Sequence, residues 1–318
     1  MGKGVLTLGE ALVDMIPLDK DQQTYQKCPG GAPANVAVGV ARLGAPAAFV
    51  GKVGRDILGN FLIETLRGYG VETAYLTQTD QARTGLVFVE LDSAGERFFE
   101  FYIDPSADRF LRKEDVEAVP LHRYHILHVG SISLIGEPSR TATLEAVRRA
   151  KARGVTVSFD PNIRMNLWGD RKRAHESIAA MMDQADVAKV SEDELAFLEG
   201  EGTPEAAVAF RRKYRLKALL VTLGAKGCWV VNGEGLRHVP AFPAEVVDTT
   251  GAGDAFVSGF LYRLSLSGAD PSSYSLDKLE HFAAFAAVSG GLAVSAKGAM
   301  TALPTLEEVE KHFAAWRR

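Results

Sequence analysis

Several functional classes are excluded by what this chain lacks. It has two cysteines, Cys28 and Cys228, in 318 residues. That is too few for a disulfide framework or a cysteine-based zinc site, and it suits a chain kept reduced in the cytoplasm. No apolar run approaches the ~18 residues needed to span a bilayer. The opening Met1-Gly2-Lys3-Gly4 leads straight into a strand-like run, so no signal peptide is expected. His-Glu-x-x-His is missing and the seven histidines are scattered, which leaves no basis for a transition-metal site. Neither Gly-x-x-x-x-Gly-Lys-Ser/Thr nor a strand-borne Gly-x-Gly-x-x-Gly occurs, which argues against a P-loop NTPase and a dinucleotide dehydrogenase. The nucleophile elbow Gly-x-Ser-x-Gly is missing too, Gly130-Ser131-Ile132-Ser133 being the nearest approach. A net charge of −4 gives no support for a nucleic-acid surface. The basic cluster at 148–153 lies on a predicted helix and is expected to face solvent. There is no internal repeat, low-complexity tract or evident linker.

What is present is ordinary globular sequence, 47% hydrophobic and 24% charged, long enough for one large α/β domain with an insertion or for two domains. Residues 5–13 alternate and read as one strand ending near Asp14. Pro33 suits the first turn of a helix over 34–43, because proline's missing N–H has no partner there. A strand over 47–53 and a helix over 57–69 follow. Residues 84–91 and 97–103 are rich in Val and Phe and flank Asp92-Ser93-Ala94-Gly95-Glu96, which is good turn chemistry. This predicts a β-hairpin projecting as a lid over a site. Alternation places Phe99 and Phe101 on one face of it and Tyr102 on the other. An apolar lid face could exclude water or pair with a second copy of the chain. Strands are then predicted over 126–129, 155–159, 187–190 and 218–223, interleaved with helices over 139–153, 175–183, 192–198 and 204–214. A second hairpin spans 228–231 and 236–239, before helices over 255–264, 276–289 and 306–316. Such alternation predicts a mostly parallel sheet with helices on both faces. Asp14, Asp160, Lys189 and Gly224 fall at or just after strand ends, on the edge where such sheets bind ligands.

The stretch Asp248-Thr249-Thr250-Gly251-Ala252-Gly253-Asp254 carries the chemistry. It leads into an apolar helical run, and a helix N-terminus offers unsatisfied N–H groups and a positive dipole end to an anion. Gly251 and Gly253 let an anion approach the backbone. Asp254 beside that anion is costly unless it takes a proton from an attacking hydroxyl. The plainer alternative is a cap and a turn.

Two segments far apart carry a family resemblance. Gly30-Gly31-Ala32-Pro33-Ala34-Asn35-Val36-Ala37 and the stretch 248–254 resemble the two signatures of the ribokinase-like (PfkB) carbohydrate kinases. The resemblance covers essentially the whole chain and is nearest to plant and bacterial fructokinases. The segments Asp104-Pro105-Ser106-Ala107-Asp108, Asp160-Pro161-Asn162-Ile163-Arg164 and Lys189-Val190-Ser191-Glu192 carry that closer match.

The resemblance implies a single ribokinase-like α/β domain over 1–318, with a β lid from segments near 15–30 and 84–104. It implies an ATP-dependent sugar kinase using Mg²⁺ and K⁺, with fructose phosphorylated at its 6-hydroxyl. Asp254 would be the general base and the N–H groups of Gly251, Ala252 and Gly253 the anion hole. Asp14, Gly30, Gly31, Asn35 and Tyr102 would bind the sugar, and Arg164 would hold a sugar or phosphate oxygen. Lys189, Thr222, Gly224 and Gly227, with Gly251 and Gly253, would serve the nucleotide, and Glu192 would act on Mg²⁺ through water. Asp248 and Thr250, with Ala293, Ala296 and Gly298, would surround K⁺. Lys189 departs from the family's Asn-x-x-Glu pattern, and the turn Asn162-Ile163-Arg164 reads equally as structural. Alternatives are a kinase for 2-keto-3-deoxygluconate or an aminoimidazole riboside, or a non-catalytic sugar-binding module.

Overall fold

The computed structural model describes residues 4–19, 21–91, 97–268 and 270–316. The turn expected at 92–96 lies outside the described residues. The strands are β1 Gly4–Leu8, β2 Leu12–Pro17, β3 Tyr25–Gly30, β4 Ala47–Gly54, β5 Leu76–Thr79, β6 Gly85–Leu91, β7 Arg97–Tyr102, β8 Tyr124–Val129, β9 Thr156–Phe159, β10 Val187–Ser191, β11 Ala218–Thr222, β12 Cys228–Val231 and β13 Leu236–Val239.

They form two sheets. The larger has nine strands in the order β13-β12-β11-β10-β9-β8-β1-β4-β5, and the smaller has four in the order β3-β2-β6-β7. In the larger sheet β5, β4, β1, β8, β9, β10 and β11 run parallel, and the hairpin β12–β13 joins antiparallel at one edge. Successive side chains of a strand point to opposite faces, and both faces are buried. Leu6, Leu8, Leu127, Val129, Val157 and Phe159 pack under helices Ser139–Lys151, Arg171–Met182 and Pro204–Lys213 on one face. Val5, Ile126, Val187 and Leu220 meet helices Ala252–Leu266 and Leu276–Ala293 on the other. This is why those strands read as continuous apolar runs. Among the described residues no helix is long and apolar enough to cross a membrane.

The expected single strand over 5–13 is two strands in different sheets. β1 pairs with β4 and β8, whereas β2 pairs with β3 and β6. The chain crosses from one sheet to the other at Gly9-Glu10-Ala11, and apolar alternation on both sides conceals the crossing. Asp14 therefore lies in the middle of β2 in the small sheet and not at a strand end of the large one. The small sheet begins at Leu12, three residues before the expected lid segment near 15–30.

Candidate active site

One cavity of about 450 Å³ lies between the small sheet and the carboxyl ends of the large one. It gathers Asp14, Gly31, Asn35, Arg164, Lys189, Thr250, Gly251, Gly253 and Asp254 from the expected set. It also gathers Glu10, Asp160 and Asn162, with the apolar side chains of Leu12, Val87, Phe99, Phe101 and Ile132.

The glycine turn at 251 is built for close approach. Gly251 caps helix Ala252–Leu266 in the left-handed region at φ 78°, with no side-chain cap. A methyl group there would press on the Ala299 backbone at 3.1 Å. Among the described residues, the N–H groups of Gly251 and Gly253 donate to no backbone acceptor, while that of Ala252 reaches Thr249 O at 3.3 Å. Free N–H groups at the positive end of a helix suit an oxyanion. A Cβ at Gly253 would lie 3.5 Å from Lys189 Nζ, so an ammonium stands beside the turn.

Asp254, in the first turn of that helix, is buried and accepts a hydrogen bond from Asn35 Nδ2 at 2.7 Å. Burial pushes its carboxyl up to about 6. The Asn35 bond, Lys189 and Arg164 oppose that rise, while Asp160 adds to it. Asp14 is pushed up to about 7, first by burial and then by the charge of Asp254, with Arg164 opposing. A buried carboxyl in this range is suited to exchanging protons near neutral pH. Removing the Asn35 bond should make Asp254 harder to ionise. The acid limb of kcat/KM, lost as pH falls through about 6 in the wild type, should move to higher pH in Asn35→Ala. An unmoved limb in a pH–rate titration would refute this coupling.

Asp160 directly follows β9, and Lys189 lies on the neighbouring β10. Their ion pair spans 3.1 Å, with the side chains only 6% and 12% exposed. Asp160 Oδ1 also accepts the N–H of Asn162, and Glu194 Oε1 accepts that of Ile163. The turn after β9 is thus structural, and it also presents Asn162, at φ 43°, and Arg164 to the cavity.

The remaining expected residues do not line this cavity. Tyr102 is 60% exposed and packs edge-on against Phe88, on the lid face opposite Phe99 and Phe101. The pleat turns it away from the cavity that Phe99 and Phe101 line. Gly30 makes room for Asp14, whose carboxylate a side chain at 30 would strike. Thr222 ends β11 level with Ser191 of β10, and Gly224 follows it. Gly227 lies tight against the Val239 carbonyl, so hairpin packing alone excludes a side chain there. Glu192 starts helix Glu192–Glu199 and is ion-paired to Lys226 at 3.2 Å. Asp248 is buried and clamps two loops. Its Oδ1 accepts the Thr250 N–H and its Oδ2 the Gly298 N–H, while Val294 O accepts from Val247 and Asp248. That clamp brings 248–250 against 293–298, where Ala293, Ala296 and Gly298 lie.

Glu10 escaped the sequence reading. The signal was present: a lone carboxylate inside an apolar run, directly after Gly9.

The pfkB family carbohydrate kinase profile matches residues 3–306. This chain is a PfkB-family carbohydrate kinase. Among its relatives, the Zea mays protein named fructokinase-1 is 44% identical over 312 residues, covering 96% of both chains. A fructokinase double mutant from Vibrio cholerae O395, solved in fructose, ADP and potassium ion bound form, superposes with a TM-score of 0.89 at 39% identity, covering 98% of this chain and 99% of that one. The aminoimidazole riboside kinase of Salmonella enterica, solved with aminoimidazole riboside and an ATP analog, gives 0.87 at 36% identity over 97% and 99%. The ribokinase-like fold expected for the kinase is the fold found, a helix-covered sheet with a second small sheet beside it.

Proposed function

We propose that this kinase is a fructokinase, transferring the γ-phosphoryl group of ATP to the 6-hydroxyl of fructose to give fructose 6-phosphate and ADP. The observation that carries the reading is the buried Asp254–Asn35 pair at the head of the glycine turn, inside the cavity that also holds Asp14 and Arg164. Asp254 takes the proton of the 6-hydroxyl as its oxygen bonds to the γ-phosphorus. The bond from that phosphorus to the bridging oxygen of ADP breaks in line. The Gly251 and Gly253 N–H groups hold the phosphoryl oxygens, and Lys189 adds positive charge beside them. Asp14, Asn35, Gly31 and Arg164 hold the sugar. Phe99 and Phe101 cover it and keep out water, a competing acceptor.

A bound Mg²⁺ would supply charge neutralisation on the ATP phosphates. Glu192, whose side chain is 38% exposed beside Lys226, would meet that ion through its waters. The oxygen-only donors of the clamped loops, backbone carbonyls with Thr250 and Asp248, suit a large monovalent cation. Two buried free thiols fit a reducing cytoplasm. The outer lid face, with Phe98 and Tyr102 exposed beside Phe88 and Tyr25, suits a homodimer. A monomer mass by light scattering at assay concentration would dismiss that dimer.

Release of ADP across a panel of sugars, with and without K⁺, tests the function. Fructose should give the highest kcat/KM. A best substrate among aminoimidazole ribosides or 2-keto-3-deoxygluconate would move the chain to that substrate within the same family. No turnover with any sugar would favour a binding module.

A further inference from the structure

Glu10 occupies the place where the chain leaves the large sheet for the small one. It follows β1 and precedes β2, is 3% exposed, and lies on the cavity wall. Its Oε1 accepts the N–H of Ala32 at 3.1 Å. Ala32 opens helix Ala32–Arg42, whose cap residue Gly31 supplies no side-chain acceptor. The backbone makes a second contact at the same spot. Gly31, at φ 102°, sits so close to the Glu10 carbonyl that any side chain there would collide with it. One turn into this helix stands Asn35, the donor to Asp254. The other oxygen of Glu10, Oε2, is buried with no hydrogen-bond partner among the described residues.

We propose that Glu10 is a positioning residue of the sugar site: its side chain fixes the start of helix Ala32–Arg42 against the crossing between the two sheets, and through that helix sets Asn35 against Asp254. It touches no reacting atom in this role. Keeping an unpartnered buried oxygen costs stability, and packing alone would be served better by an apolar side chain. The charge state follows from the surroundings. Burial pushes the carboxyl up to about 8. The carboxylates of Asp108, from the short helix Ala107–Phe110, and Asp254 push the same way, against the backbone hydrogen bonds. Asp108 is itself buried beside Ser106 and near Arg109, and Lys189 and Arg164 are the cations of the cavity. These surroundings favour the neutral acid form of Glu10. It accepts through one oxygen and adds no third negative charge beside Asp254 and the incoming phosphates.

The proposal rests on the sugar-kinase reading, and wild type is assayed first on the sugar panel, so failure of that reading is seen before any variant is compared. Glu10→Gln keeps the shape, the acceptor and the neutrality. It should hold kcat/KM within about threefold at pH 7, whereas wild type should decline as pH rises through about 8 and Glu10→Gln should not. Glu10→Ala should lower kcat/KM for the sugar by about 10- to 10²-fold, the scale of one buried hydrogen bond, with KM for ATP unchanged. Three results would overturn the proposal. One is a Glu10→Ala enzyme with normal sugar kinetics. Another is a Glu10→Gln enzyme as impaired as Glu10→Ala, which would mean the charge matters. The third is an alkaline decline that survives in Glu10→Gln. Should Glu10→Ala fail to fold, the rate and pH profile of Glu10→Gln decide the matter.

Discussion

Asp254→Asn should lower kcat at least about 10²-fold while sugar and ATP still bind, the usual scale for loss of a general base. The substitution is almost isosteric. An amide oxygen at 254 can still accept the Asn35 Nδ2 hydrogen bond now at 2.7 Å, so the pocket keeps its shape. What disappears is the proton acceptor and a buried negative charge. Because burial pushes the wild-type carboxyl up to about 6, ionising it in the folded protein is unfavourable. Stability is lost as pH rises from the ordinary carboxylate range through that value. The neutral amide removes this loss, so the variant should be at least as stable as wild type at pH 7. An inactive yet more stable protein would separate a catalytic role from a structural one. Near-normal kcat would remove Asp254 from the base role.

The second large effect belongs to Lys189. Burial alone would depress its pKa, but Asp160 and then Glu194 outweigh that, and the ammonium is held charged. Lys189→Met should cost about 3–5 kcal/mol, the range for breaking a buried ion pair and leaving one charge stranded. It should also raise KM for ATP and move the acid limb of Asp254 upward, since Lys189 is one of the cations holding that pKa down. The double variant Lys189→Met with Asp160→Asn separates these effects. It strands no charge, so Tm should recover toward wild type while ATP affinity stays low. Recovery of both would mean that Lys189 serves only to balance Asp160. An unchanged KM for ATP in the single variant would deny it any part in holding phosphate.

Much of this was legible without coordinates. Helix and strand periods are local, so the hairpin β12–β13 and the helix Leu306–Trp316 fall at the boundaries read from the sequence. The glycine turn was legible because its chemistry is contiguous: the free N–H groups, the left-handed Gly251 and Asp254 all sit within a few residues. Other features depend on which strand pairs with which, and that is a long-range matter. Residues 5–13 look like one strand because apolar alternation does not record a change of sheet at Glu10. Asp14 was assigned to the wrong sheet for the same reason. The pairing of Asp160 with Lys189 exists only because β9 and β10 are neighbours. Tyr102 lies on the lid face opposite Phe99 and Phe101 and outside the cavity lining, as the alternation along β7 already indicated.

The sequence by itself determined the class of fold, the family and the glycine turn proposed to carry the chemistry, because each of these rests on neighbours along the chain. Only the tertiary structure decided how the carboxyl groups behave. Asp14, Asp254 and Glu10 are pushed to about 7, 6 and 8 chiefly because folding removes them from water, and also because it brings acids distant in sequence close together. Burial and through-space charge exist only once the chain has closed around the cavity.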